Sequence, residues 1–245
     1  MLMHNQNRKN NKQRKIVSTF KSIFPRRHTF LAVVHVECEA QALRNTRIAE
    51  QEGADGVFLI NHSISSDCLL NYYGLVKEQL PNFWIGINCL DLGRSAIDFI
   101  PKHAAGLWVD NAGINEDVKS LYFAQEFEDR RKTSGWDGLY FGGVAFKYQR
   151  EVADTARVAK FAIPYVDVIT TSGAGTGIAA KIDKIRTIKN AIGDHPLAIA
   201  SGITPENVDD YMPYTDCFMV ATGISDSHTE LNPSRVRALA KSLGK

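Results

Sequence analysis

The chain has no run of about 18 apolar residues, the length that crosses a bilayer; its longest apolar stretches, such as Phe30–Val34, are strand-sized. A membrane-spanning helix is therefore not expected. Cysteine is sparse. The four present (Cys38, Cys68, Cys89 and Cys217) are scattered, with no C-x-x-C. That argues against a zinc ribbon or a disulfide scaffold and for a reducing, cytoplasmic setting. Acid is missing from residues 1–28, which hold eight Lys/Arg (Arg8, Lys9, Lys12, Arg14, Lys15, Lys21, Arg26, Arg27) and no Asp or Glu. This leaves 21 basic against 27 acidic residues in the rest of the chain. The body carries no broad basic footprint, so no specific nucleic-acid partner is expected. G-x-x-x-x-G-K-[ST], G-x-S-x-G and H-E-x-x-H are absent too, which leaves a P-loop NTPase, an elbow-type serine hydrolase and a zincin without support.

What is present is an ordinary globular composition, 44% hydrophobic and 23% charged over 245 residues. Residues 1–28 read as a basic, poorly ordered tail and 29–245 as one domain. The tail is open to three readings: a solvated terminus, an arm for peripheral association with a membrane surface or RNA, and an organelle transit peptide. Little Ser weakens the last. A secretory signal is disfavoured because Ser18, Thr19, Lys21 and Ser22 interrupt the apolar stretch Ile16–Phe24.

From His28 onward, short Val/Ile/Leu/aromatic runs alternate with longer amphipathic ones. The predicted strands are Phe30–Val36, Gly56–Ile60, Trp84–Asn88, Gly106–Val109, Gly143–Lys147, Val166–Thr170, Leu197–Ala200 and Cys217–Val220. Most are apolar on both faces, as in a parallel sheet covered by helices. Leu69, Tyr73, Val76 and Leu80 form a helical stripe stopped by Pro81; Ile182, Ile185 and Ile188 form another, and Val236, Leu239 and Leu243 a third. Thr204-Pro205 and Asn232-Pro233 read as an N-cap followed by proline at the first helical position. Lys132–Gly143 reads as the loosest connection. Eight such units predict an α/β fold, a single-domain (β/α)8 TIM barrel. A doubly wound sheet is the rival, but Val36-Glu37-Cys38-Glu39 after the first strand lacks the glycines that such a sheet often places there.

In a barrel of this kind the loops after the strands carry function. After the sixth strand comes Thr170-Thr171-Ser172-Gly173-Ala174-Gly175-Thr176-Gly177; after the seventh, Ala200-Ser201-Gly202-Ile203; after the eighth, Ala221-Thr222-Gly223-Ile224. Glycine lets backbone N–H groups converge on an oxyanion, and hydroxyls add donors. Gly173, Gly175, Thr176, Gly177, Ser201, Gly202, Thr222 and Gly223 are therefore the expected phosphate cradle. For any single glycine, a tight turn is the favoured explanation; the phosphate reading rests on all three loops together.

The remaining strand ends supply polar groups: His35 and Glu37, Asn61 and His62, Asn88, Asp110 and Asn111, and Lys147. Lys147, His35 and Asp110 are the candidate catalytic groups, the lysine as a charge partner for phosphate or as a desolvated amine. Glu37, Asn61, His62, Asn88 and Asn111 are candidates for substrate binding. His35, Glu37, His62 and Asp110 lack a recognised metal-ligand spacing, so no metal is assigned.

These phrases resemble the BtpA family, also called photosystem I biogenesis or SgcQ-like proteins, over residues 30–243. The likeness is strongest in Asp167-Val168-Ile169-Thr170 with Gly173, Thr176 and Gly177, in Ala200–Val208, and in Asn232-Pro233-Ser234-Arg235-Val236. His35, Asn61, Asn88 and Lys147 match the family's polar residues on strands one, two, three and five. The resemblance implies a TIM barrel. The front of the site departs from the family: Glu37-Cys38-Glu39-Ala40 replaces a Pro/Gly-rich segment, Ile60 an acidic residue, and Leu90-Asp91-Leu92-Gly93 a Leu-Arg-Asn-Asp phrase.

Two functions follow as expectations. One is an enzyme acting on a phosphorylated small molecule, a sugar phosphate or nucleotide, with no cofactor assigned beyond that phosphate-bearing ligand. The other is a non-enzymatic biogenesis factor for a membrane or photosystem complex, docked through the basic segment. A homo-oligomer is compatible with either.

Overall fold

The computed structural model describes residues 19–245. Its eight strands are β1 (Thr29–Val36), β2 (Gly56–Asn61), β3 (Trp84–Asn88), β4 (Gly106–Val109), β5 (Leu139–Gly143), β6 (Val168–Thr171), β7 (Leu197–Ile199) and β8 (Cys217–Val220). All are parallel, in sequential order, and β8 pairs back onto β1 with Thr29 opposite Cys217, closing the barrel. Among the described residues, the crossovers use helices α1 (Glu39–Gln51), α2 (Ser66–Gln79), α3 (Leu121–Ser134), α4 (Thr155–Ala162), α5 (Ile182–Ile192), the short α6 (Val208–Tyr211) and α7 (Pro233–Ser242). Between β3 and β4 a 3-10 segment, Gly93–Asp98, stands where a helix is expected. This is a TIM barrel.

Period-two alternation sorts each strand. Leu31 and Val33 on β1, Phe58 and Ile60 on β2, Trp108 on β4, Leu139 and Phe141 on β5, and Cys217 and Met219 on β8 form the lumen cluster. Their neighbours face the helices and build the larger shell core, into which α2 sends Leu69, Tyr73 and Val76. The lumen is unusually aromatic. Phe58 meets Trp84, Trp108 and Phe141 edge-on at 5.0–5.7 Å between centroids. Glycine makes room for these rings: a Cβ on Gly106 would lie 2.6 Å from the Trp84 ring, and one on Gly86 would overlap Phe58.

Several expected boundaries move. β5 runs over Leu139–Gly143, not Gly143–Lys147, so the stretch Lys132–Gly143 is not a loose connection: it ends α3 and then forms a strand. A Cβ on Gly143 would overlap the Asp110 backbone, so glycine there serves a close strand contact rather than a turn. Residues 144–147 leave the sheet, with Ala145 at φ +48°. Thr204-Pro205 opens a turn in which Thr204 N donates to Asn207 Oδ1 (2.9 Å), and the helix begins only at Val208. Asn232 does cap α7, accepting from Arg235 N at 2.9 Å.

Of the stretch expected as a tail, residues 1–18 lie outside the described residues. Residues 19–23 are helical, and Phe20 and Phe24 are buried in the lumen cluster, with Phe24 edge-on to Trp84 at 5.3 Å. Packing of the chain onto the barrel thus begins before residue 29, because two phenylalanines plug the end where β3 starts.

Candidate functional site

At the C-terminal ends of the strands lies a cavity of about 230 Å³. It is lined by His35, His62, Trp108, Asp110, Lys147 and Tyr148 on one side and by Thr176, Gly177, Ser201, Gly202, Thr222 and Gly223 on the other, with His228 at its rim. Ten of the sixteen residues expected from the sequence to form the site share this space. The lumen register explains several of them: His35 continues Leu31 and Val33, His62 continues Phe58 and Ile60, and Asp110 continues Trp108, each two residues on.

The other six are elsewhere. Glu37 is exposed just past the end of β1 and does not reach the cavity. Asn61 has the opposite parity to His62, and its amide is fully occupied: Nδ2 donates to Ile64 O (3.0 Å) and Asp91 Oδ1 (2.8 Å), and Oδ1 accepts from Leu90 N (2.7 Å). Asn88 and Asn111 line a separate groove with Asp91 and Arg94. Asn88 still touches the site, because its Nδ2 donates to Asp110 Oδ1 at 3.0 Å. Gly173 and Gly175 do not line the cavity.

The glycine turns meet as expected, but for a different reason at three positions. A Cβ on Gly173 would overlap Ile178 O, one on Gly202 would overlap Ala179, and one on Gly223 would overlap Ile203 O. Gly173 is glycine because its own loop folds back on it, and Gly202 and Gly223 because the loops after β7 and β8 press onto the backbone of the loop before. Ser201 adds to the weld, donating to Gly175 O (3.1 Å) and Ile178 O (2.8 Å). Gly177, at φ +74°, and Thr222 sit side by side at the cavity wall.

Lys147 lies in the loop after β5. Its backbone N donates to Ser172 Oγ (2.8 Å) and its Nζ to Thr176 Oγ1 (3.3 Å). The loop is fixed from below by Lys184 on α5, whose Nζ donates to Ala145 O (2.6 Å) and Ser172 O (2.7 Å). Burial lowers the Lys184 amine to a pKa of about 8. Burial also lowers the Lys147 pKa, against the pull of Asp110 and Tyr148, and raises that of Asp110, against the Asn88 hydrogen bond and the Lys147 charge. Among the described residues neither group forms an ion pair. The result is an amine and a carboxyl facing one small space, both pushed toward neutrality.

His35 is the most perturbed group at the mouth. Burial, and then its neighbours His228 and His62, lower its pKa to about 4, so it is neutral at neutral pH. Trp108, almost fully buried, adds an indole Nε1 with no acceptor among the described residues.

Sequence reasoning missed His228, Tyr148, Trp108, Lys184 and the α1 amides Gln41 and Asn45. His228 sits in a small loop closed by the antiparallel bridge Ser225–Leu231. The signal in the sequence is a histidine in the polar stretch between the last strand and the last helix. Tyr148 adjoins Lys147 at φ +60°, and its hydroxyl accepts from Thr176 N at 3.1 Å.

No protein-family model matches the sequence, and no curated protein does. Solved structures do. Phosphoribosyl anthranilate isomerase from Thermus thermophilus aligns at TM-score 0.64 and 15% identity, covering 88% of this chain and 98% of that one. Tryptophan synthase subunit alpha from Legionella pneumophila aligns at TM-score 0.66 and 11% identity, over 95% and 98%. A phosphoribosyl anthranilate isomerase in complex with reduced 1-(o-carboxyphenylamino)-1-deoxyribulose 5-phosphate aligns at TM-score 0.62 and 12% identity, over 89% and 98%. At these identities the likeness is one of fold: the chain is a TIM barrel.

Proposed function

We propose that this protein is an enzyme acting on a phosphorylated small molecule bound in the mouth of the barrel. The phosphate lies against Gly177, Ser201, Gly202, Thr222 and Gly223, and the reacting end of the molecule lies toward Lys147, Asp110 and His35. The observation that carries this reading is one cavity that joins the ends of the last three β-to-α loops to an amine and a carboxyl desolvated but not paired. Ligand pockets commonly run from about 300 Å³ upward, so a cavity of about 230 Å³ favours a sugar phosphate over a nucleotide. The deoxyribulose 5-phosphate held by a structural neighbour and the resemblance to the BtpA family in residues 167–177 and 200–208 are in keeping with this. Asp110 and Lys147 supply the acid and base of a proton-transfer step, and a neutral Lys147 amine is also competent as a nucleophile toward a carbonyl.

A thermal-shift series tests the reading. Sugar phosphates are expected to raise Tm by several degrees at saturating concentration, and the same sugars without phosphate are expected to leave it unchanged. Equal shifts for both, or none, would remove the phosphate seat. A phosphate-dependent shift with no turnover of any of these compounds would favour the non-enzymatic biogenesis factor instead.

A further inference from the structure

We propose that His35, His62 and His228 form a binding site for one divalent first-row transition-metal ion of the zinc class, with its open coordination positions facing the barrel cavity. The three imidazoles come from the end of β1, the position just after β2, and the β8–α7 loop. One nitrogen from each lies within 4.8 Å of the others. Zn–N bonds of about 2.1 Å in a tetrahedron set ligand nitrogens roughly 3.4 Å apart. Two of the three rings, His62 and His228, are exposed and free to close that gap.

Histidines can also cluster by ring contact alone, and these do, with centroids 4.1–5.3 Å apart. The support behind them argues for more. The loop that carries His228 to the mouth is gripped by two buried amides on α1. Gln41 Nε2 donates to Thr229 O (2.6 Å) and also to the carbonyl of His35 (3.1 Å), so one side chain ties the backbone of His35 to that of Thr229, the residue after His228. Asn45 Nδ2 donates to the same Thr229 O (2.9 Å), and its Oδ1 accepts from Leu231 N (2.9 Å). Gln41 is 3% exposed and Asn45 is fully buried. Burying two amides is costly unless each is satisfied, and here they are satisfied by fixing this loop. His35 Nδ1 in turn lies 2.9 Å from the His228 carbonyl. The same Nδ1 lies 3.2 Å from His228 Nδ1, so His228 sets the orientation of the His35 ring, as the outer partners of metal-bound histidines usually do.

The donor set decides the kind of ion. Three imidazoles with no carboxylate suit zinc and its borderline neighbours rather than magnesium or calcium. Three protein ligands, rather than four, leave room for a water or a substrate oxygen. Neutral ligands leave the ion's two positive charges uncompensated beside Lys147, so the open positions favour an anionic oxygen.

The experiment uses the untagged full-length chain, stripped of metal and titrated with Zn²⁺ against a chromophoric chelator, and with Co²⁺ read by its d–d absorption. The expected result is one ion per chain. His62→Ala and His228→Ala, both at exposed positions, should keep the wild-type circular dichroism and weaken binding by more than about 100-fold, beyond what loss of a supporting partner costs. Gln41→Leu should weaken it about 10-fold, and His103→Ala, an exposed histidine outside the site, should not change it. Affinity unaltered in both His62→Ala and His228→Ala, or binding well below one ion per chain, would overturn the proposal. The probe is the metal alone, so this outcome is independent of the phosphate reading: either can fail while the other stands.

Discussion

The two ends of this barrel treat charge in opposite ways. At the floor, Asp55, Asp167 and Asp216 each precede a strand, and each accepts a strand amide at 2.8 Å, from Phe30, Tyr140 and Leu197 respectively. Each also holds a cation: Lys245 at 2.5 Å, Arg131 at 2.7 Å and Lys189 at 2.6 Å. At the mouth, Asp110 and Lys147 share a cavity, form no ion pair among the described residues, and are both displaced toward neutrality by burial. Charges neutralised in place fasten strands together. Charges held desolvated and unmatched are stabilised only by something that arrives.

Substitutions can break or sharpen that contrast. The largest effect is expected from Lys147→Ala, which should reduce turnover of the eventual substrate by roughly 10²–10⁴-fold while changing unfolding free energy by less than about 1 kcal/mol. Steady-state rates and urea unfolding of the same preparation check both halves. At the floor, Asp167→Ala should do the reverse. Losing a nearly buried partner of Arg131 and the acceptor for Tyr140 N should cost about 3–5 kcal/mol in denaturant unfolding. Activity per folded molecule should stay unchanged. Phe24→Ala removes the ring that stops the lower lumen and should cost about 3 kcal/mol, visible as a lowered Tm. A neutral result there would detach residues 19–28 from the domain.

The smallest effect is one of pH. His195, in the turn before β7, is fully buried, and desolvation lowers its pKa to about 4. Above pH 6.5 the folded and unfolded chains are both neutral at this residue. Below it the unfolded chain takes up the proton first, so stability falls as pH drops from 6.5 toward 4, by about 2 kcal/mol at pH 5. His195→Gln should flatten the acid limb of a stability–pH curve by that amount, and an unchanged limb would assign the loss to other groups.

The barrel was legible because periodicity survives tertiary packing: eight apolar runs, correctly counted, leave few alternatives. The error at β5 has a local cause. Gly135, Gly138 and Gly142, with the polar residues among them, give Lys132–Gly143 the composition of a loop, yet Gly142 serves strand contact and Leu139-Tyr140-Phe141 lies in β5. Parity, had it been applied to every strand end, would have separated His62 from Asn61 without coordinates, since the lumen residues Phe58 and Ile60 fix the register. The role of Gln41 and Asn45 was not legible. Nothing in α1 alone tells that its buried amides grip a loop almost two hundred residues away in sequence, because that contact exists only after the barrel closes.

The contact of backbone on backbone among the turns that follow β6, β7 and β8 leaves this half of the rim no slack. A side chain added at Gly202 or Gly223 must displace the preceding turn, and one at Gly173 must open its own, so the three can change shape only in concert. Diversity in what such a barrel recognises therefore has to be written on the opposite arc, after β1 to β4. A randomised library confined to that arc should return folded variants with altered ligand preference, where one confined to the glycines should return aggregates.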